Sequence, residues 1–387
     1  MSGFAIKGWC PSALQPMLSG DGLVLRIRPR CGRLSAAQAF GIAELARTYG
    51  NGLIDLTGRA NLQIRGVREE TCDALAAALA KLGLVDADGE TEAQRNLLVA
   101  PFWSEGDDTQ WLATALEQAL AATPLGLPRK FGFAVDCGSE RVLAQAAADI
   151  RIERAAKGGL IVRADGASEG RAVAREQAVP TALSLAKWFA TSGGISDGRG
   201  RMAPHITAGA ELPRALAGGA KPAAVMAPPQ PGPHSTGGLV GLAFGQLESD
   251  TLKFVAALGP GLRMTPWRMI LVEGLREEPL HDQLVTGAND PLLRVTACTG
   301  APGCLEAHAE TRRLAAALAP HVPLGSHLHV SGCAKGCARP GPSNLTLVGT
   351  SEGFDLVRDG SPRDVPAMRG LDPAKLLADF GALTGAR

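Results

Sequence analysis

Apolar and polar residues alternate along Gly22-Leu-Val-Leu-Arg-Ile-Arg28, the period of a half-buried strand. Ser35 then offers a cap for a helix running to about Tyr49, and Gly50 and Gly52 end it. A second strand is predicted from Gly52 to Thr57, with Asn61 to Arg65 continuing it. A helix from Glu69 to Lys81 closes at Gly83. Further on, Lys130 to Asp136 and Gly159 to Arg163 read as strands, and Thr109 to Ala122 and Thr181 to Thr191 as helices. The opening pattern then recurs. Gly238 to Phe244 is a strand, Ser249 starts a helix to about Leu258, and Leu262 to Leu275 reads extended. Thr57-Gly-Arg-Ala-Asn-Leu-Gln-Ile-Arg-Gly-Val67 lines up with Thr265-Pro-Trp-Arg-Met-Ile-Leu-Val-Glu-Gly-Leu275, which suggests a duplication. The last part alternates strands (Leu293 to Ala297, His327 to Ser331, Asn344 to Gly349, Phe354 to Arg358) with helices from about Leu305 to Ala319 and from Pro373 to Leu383.

A chain of 387 residues accommodates two or three such units. Residues 208–237 are rich in Ala, Gly and Pro and read as a linker. Lys and Arg total 39 against 38 Asp and Glu, which gives no support for a nucleic-acid surface or an acidic-lipid partner. No apolar run reaches the roughly 18 residues of a membrane span, and no secretory pattern opens the chain. The expectation is a soluble cytoplasmic protein.

Chemistry concentrates in the cysteines. Four of the eight fall as two close pairs, Cys298-Thr-Gly-Ala-Pro-Gly-Cys304 and Cys333-Ala-Lys-Gly-Cys337. Thiolates suit iron–sulfur clusters and zinc. The spacings of five and three favour a 4Fe–4S cluster over zinc, whose first pair usually stands two to four apart. Small residues between the thiols let backbone N–H groups reach cluster sulfides. Two disulfides would need an oxidising compartment. Zinc and disulfides remain the competing readings. Cys10, Cys31, Cys72 and Cys137 are scattered and read as buried free thiols.

Basic residues form the second signal. Arg26 and Arg28 share one strand face, and Arg59, Asn61, Gln63 and Arg65 form an alternating polar series. Arg95-Asn96 and Arg129-Lys130 extend the set. Arginine binds carboxylates through two parallel hydrogen bonds and lysine acts as a mobile charge. A single arginine on a strand is ordinarily a solvated one; the set together points to a polyanionic ligand. His327 and His329 share a strand face near Cys333, a spacing that suits metal ligation but is more often that of a structural pair. No G-x-G-x-x-G follows a strand, so any NADH electrons arrive through another protein.

The two cysteine pairs ahead of the strand Asn344 to Gly349 resemble those of the sirohaem nitrite and sulfite reductase superfamily. Ser331-Gly-Cys-Ala-Lys-Gly-Cys-Ala338, with Trp9-Cys-Pro-Ser12, Pro16-Met17 and Gly20-Asp-Gly22, resembles the branch that hydroxylates precorrin-3A in aerobic cobalamin synthesis. The resemblance implies an α+β, duplicated architecture: two ferredoxin-like half-domains forming one domain, plus two larger α/β domains. The boundaries expected are 1–88, 89–207, the linker 208–237, 238–290 and 291–387. It implies that Cys298, Cys304, Cys333 and Cys337 bind a 4Fe–4S cluster. Thr57, Arg59 and Gln63 match a segment that contacts tetrapyrrole carboxylates. Asn61, Arg65, Arg129 and Lys335 join them as expected substrate contacts. Arg28, Arg95 and Lys130 match basic residues around the substrate anion and are expected to be catalytic. Two departures stand out. Gly132 occupies the place of a second reductase lysine, and Lys335 sits where sulfite reductases tend to carry asparagine.

The activity implied is oxygen-dependent hydroxylation at C20 with γ-lactone formation. A mononuclear non-haem iron, its ligands unknown, would activate dioxygen. The implied partners are precorrin-3A, dioxygen and an external NADH-linked electron donor, with no nucleic acid and no membrane. A sirohaem-dependent reductase and a non-catalytic iron–sulfur carrier are the alternatives.

Overall fold

A computed structural model describes residues 11–384. Trp9 and Cys10 lie outside the described residues.

Ser35 caps the helix Ala36–Tyr49 as its sequence indicates. Its hydroxyl accepts from the Gln38 N–H and the Gln38 side chain accepts from the Ser35 N–H. The stretch expected as one continued strand is instead a hairpin. Leu53–Leu56 and Leu62–Val67 pair antiparallel, and the chain turns between them at Ala60, whose φ is +55°. The counterpart Gly261–Met264 and Met269–Glu273 turns at Arg268, with φ +61°. Thr57 N–H donates to the Asn61 carbonyl, and Thr265 N–H to that of Met269. Cys31 and Phe244 share the same left-handed kink. These agreements confirm the alignment of Thr57 with Thr265 in backbone geometry.

Each half exports one strand. The first sheet runs Met17–Ser19, Gly22–Ile27, Leu62–Val67, Leu53–Leu56 and then Gln246–Glu248 of the second half. The second runs Gly232–His234, Gly237–Leu242, Met269–Glu273, Gly261–Met264 and then Arg33–Ser35 of the first. One core is shared, with Leu25, Ile42 and Ile54 buried beside Leu252, Val255 and Ile270. At roughly 25 cal/mol per Å² of apolar area, neither half is expected to hold its face closed without the other.

The two larger units also share a topology. Leu97–Val99, Phe133–Asp136 and Ile150–Arg154 are parallel neighbours, followed antiparallel by Leu160–Ala164 and Arg171–Val173. Val295–Ala297, Leu328–Ser331 and Ser343–Thr350 repeat this, followed by Gly353–Gly360 and Met368–Leu371. Ile150–Arg154 was not expected as a strand. Its Arg151 and Glu153 are buried in ion pairs with Asp165 and Arg163, so charged residues fill an inner face. Residues 208–231 form no helix or regular strand, yet they are stitched to the first larger unit: Arg141 and Ala156 N–H donate to Ala224 and Lys221 carbonyls. The helix expected from Leu305 is only Arg312–Leu318. Residues before it fold back on the cysteine loops, with Ala301 N–H on Ala309 O and His308 N–H on Gly332 O.

Asp136 ends the second parallel strand of the first unit. Burial, opposed by the Leu143 N–H and reinforced by Glu153, raises its pKa to about 6. A carboxyl raised above its unfolded value near 3.9 stabilises the fold while protonated and loses that contribution as pH rises through the native value. Asp136→Asn is therefore expected to remove roughly 2–3 kcal/mol of stability loss between about pH 4 and 6. Urea unfolding across that range checks it, since the substitution should flatten the profile.

Among the described residues no helix is long and apolar enough to cross a membrane.

Candidate active site

Both cysteine pairs lie in loops at the carboxyl ends of adjacent parallel strands, where open α/β sheets hold ligands. Cys298 follows Val295–Ala297, and Cys333 follows Leu328–Ser331. The loops leave no room for side chains at two glycines. A Cβ on Gly332 would stand 2.6 Å from that of Ala307, and one on Gly300, at φ +72°, 2.6 Å from the Thr311 hydroxyl. The first-half hairpin closes on the same loop. Ser19 hydroxyl and Arg65 guanidinium both donate to the Gly303 carbonyl, at 2.6 and 2.7 Å. Gly20 sits so close to Pro302 that a Cβ would be 1.9 Å from its carbonyl oxygen. That contact gives the Gly20-Asp-Gly22 signature a structural reason.

The cysteines of the described residues are all free. Cys337 is raised to about 11 by burial first, then by the charge of Cys298. Cys333 is raised by burial, with Cys304 and Cys298 adding to it. Four thiols that feel one another, with Lys335 offsetting charge at Cys337, suit a shared anionic ligand site. Among the described residues no three His, Cys, Asp or Glu side chains are placed to hold a single metal ion. A cubane gives each sulfur its own iron corner, so four thiolates from two neighbouring loops are the donor type and number that such a group would use. No described set fits a mononuclear iron, and no step of the reaction is assigned to one. His327 meets Thr296 Oγ1 at 2.9 Å, and His329 Nε2 stands 3.6 Å from Cys298 Sγ. Burial, then Arg339 and Arg268, lowers His327 to about 4; burial, then Arg268, lowers His329 to about 3.

A cleft of about 670 Å³ opens beside the cysteines. Cys298 and Cys337 form part of its wall, facing Thr57, Gly58 and Gln63 of the first half. Three arginines line it: Arg268, Arg312 and Arg339. Arg312 is braced by Asp55 at 3.0 Å, and Arg268 by the Ala338 carbonyl at 3.2 Å. Burial lowers the Arg268 pKa, with Arg312 acting in the same direction. Its guanidinium therefore gains from an anion. The three were not foreseen. The duplication held the only signal: Arg268 occupies the left-handed turn position that Ala60 fills in the first half.

The expected basic residues divide. Thr57 and Gln63 reach the cleft. Arg28 and Arg95 do not line it. Arg28 is buried against Glu92 at 2.8 Å, and Arg95 against Asp86 at 2.9 Å and Glu117 at 3.3 Å. Arg65 is likewise absorbed, in Asp21 and Asp55. These are corrections: Arg28, just past Gly22–Ile27, and Arg65, in Leu62–Val67, lie on alternating stretches that pack inward on carboxylates, and Arg95 ends the helix Gly89–Gln94 against buried carboxylates. Arg59 donates to the Lys130 carbonyl at 3.0 Å and borders a small separate hollow with Asn61. Lys130 and Arg129 are exposed, the latter meeting Gln15. Lys335 is half-buried between the last two cysteines. Gly132 has its Cβ direction 3.1 Å from the Asn96 carbonyl, so this position is crowded. Among the remaining cysteines, Cys137 is buried and its thiol pushed up, first by burial. Cys31 is pushed up to about 12 by burial, then Glu117.

Residues 15–82 match the model of the nitrite/sulfite reductase ferredoxin-like half domain. The fold is similar to that of Mycobacterium tuberculosis NirA protein, at a TM-score of 0.70 and 18% identity over 94% of this chain and 81% of that one. The fold is of the nitrite/sulfite reductase type. A ferredoxin–nitrite reductase of Leptolyngbya laminosa is 26% identical over 91% of this chain and 82% of its own length. A precorrin-3B synthase of Sinorhizobium sp is 33% identical over 93% of this chain and 84% of its own. The chain belongs to the precorrin-3B synthase family, enzymes of cobalamin biosynthesis.

Proposed function

We propose that the chain converts precorrin-3A to precorrin-3B, adding a hydroxyl from dioxygen at C20 while the ring-A acetate closes a γ-lactone. The observation that carries this reading is the convergence, on one cleft, of Thr57, Gln63 and three arginines with two of the four paired cysteines. A pocket of this size suits a macrocycle, and arginines bind its carboxylates with charge-assisted hydrogen bonds. Arg268 and Arg312 orient the acetate and propionate arms, and Arg339 at the rim draws the polyanion in. The walls Leu242, Phe244 and Trp267 exclude water from the ring faces. A 4Fe–4S cluster held by Cys298, Cys304, Cys333 and Cys337 would supply electrons one at a time. Those electrons come from an external NADH-linked donor; oxidation of NADH by the chain alone would contradict this.

Each charge-assisted hydrogen bond is worth about 1.5–3 kcal/mol. Arg268→Gln should therefore raise KM for precorrin-3A roughly tenfold to a hundredfold with a smaller change in kcat. Initial rates at varied substrate check it; an unchanged KM would remove Arg268 from the binding set.

A sirohaem-dependent reductase is the second reading, favoured by the Cys337 side chain at the cleft wall and opposed by Gly132. The visible spectrum separates the two. Strong Soret and red bands in the purified protein would overturn the hydroxylase reading, and a broad cluster shoulder alone supports it.

A further inference from the structure

Two buried polar side chains stand beside the Cys298 sulfur. His329 Nε2 stands at 3.6 Å, Ser331 Oγ at 3.4 Å, and the Ala338 N–H donates at 3.4 Å. His329 and Ser331 are wholly buried, and His329 Nδ1 has no hydrogen-bond partner among the described residues. An imidazole buried with one nitrogen unmet is unfavourable for stability alone. An apolar residue would fill that strand position at less cost.

The duplication supplies an internal control. Cys298 N–H donates to the Val330 carbonyl, and Ala100 N–H to that of Val135. Leu328 pairs with Val295 as Phe133 pairs with Leu97. By this register Ala100 stands at the place of Cys298, and Ala134 at the place of His329. Ala134 is buried in the apolar core that the two halves share, with Leu98 and Ala100. Where the cysteine is missing, so is the imidazole.

Ser331 Oγ gives its one proton to the Cys333 carbonyl at 2.7 Å, which leaves the imidazole as the side-chain donor. We propose that His329 is a positioning residue that donates a hydrogen bond from Nε2 to the Cys298 thiolate and raises the reduction potential of the cluster it holds. Hydrogen bonds to a ligating sulfur draw off its charge and so favour the reduced cluster. Cys298 also walls the substrate cleft, so the effect falls on the side where electrons leave. The inference rests on the cluster reading above.

The test is an EPR-monitored redox titration of the full chain purified anaerobically, with iron and sulfide assayed on each sample. His329→Leu should keep the cluster and shift its potential negative. His329→Gln, which retains an N–H donor, should restore most of the shift. Unchanged potentials in loaded variants overturn the proposal. If His329→Leu does not load, His329→Met and His329→Gln decide: a negative shift in the first that is absent from the second supports it, and an unmoved potential in both overturns it. An unaltered chain that carries no cluster would overturn the underlying reading, which the iron and sulfide assay reads separately.

Discussion

Replacing Cys333 by Ser is expected to abolish turnover and to empty most of the iron from the protein while leaving it folded. The residue sits half-buried in a loop whose backbone is set by other contacts, among them Ser331 Oγ on the Cys333 carbonyl at 2.7 Å. Nothing in the core depends on its sulfur. A serine hydroxyl is a harder ligand with a far higher pKa than a thiol, so it neither matches iron nor ionises readily. Burial, then Cys304 and Cys298, raises the Cys333 thiol in the free chain. Cluster binding must therefore release protons, and loading of the unaltered chain should weaken as pH falls. Iron and sulfide per chain, with far-ultraviolet circular dichroism for the fold, check the prediction. Full iron content in the variant would remove Cys333 from the ligand set.

Arg65→Ala is expected to cost roughly 3–5 kcal/mol of stability, the usual penalty for stranding one side of a buried ion pair. Arg65 is almost wholly buried and serves two carboxylates: Asp21 at 2.7 Å and Asp55 at 3.0 Å. The same guanidinium donates to Ser19 Oγ and the Gly303 carbonyl. It thus ties the first-half hairpin to the Cys298–Cys304 loop. Losing it should lower the urea midpoint and, separately, lower cluster loading at temperatures where the fold survives. Lysine offers a point charge without the planar fork and should not restore the loop contact. A variant with unchanged midpoint and full loading would show that the clamp is not needed.

Arg65 also shows what a sequence conceals. Its alternation with Gln63 and Asn61 marks a strand correctly, but alternation cannot say which face is wet. The carboxylates that absorb it lie on neighbouring strands and a hairpin turn, so pairing decides its role. Arg28 and Arg95 were expected beside the substrate anion from the resemblance, and buried carboxylates absorb both. The cap at Ser35, the Thr57–Thr265 repeat and the paired cysteines were legible because each is local: a hydroxyl before a helix, a turn of fixed geometry, two thiols a few residues apart. The cleft arginines were not, because Arg268 and Arg312 join Thr57 only through tertiary packing. The exchange of Arg33–Ser35 and Gln246–Glu248 between sheets was equally invisible, since three-residue edge strands carry no period.

The most direct measurement is a single turnover of anaerobically prepared protein with precorrin-3A, started by admitting isotopically labelled dioxygen, with the product read by mass spectrometry. Label in the C20 hydroxyl of a lactone product is the predicted result. An unlabelled or unchanged tetrapyrrole, alongside reduction of nitrite or sulfite by the same preparation, would contradict it.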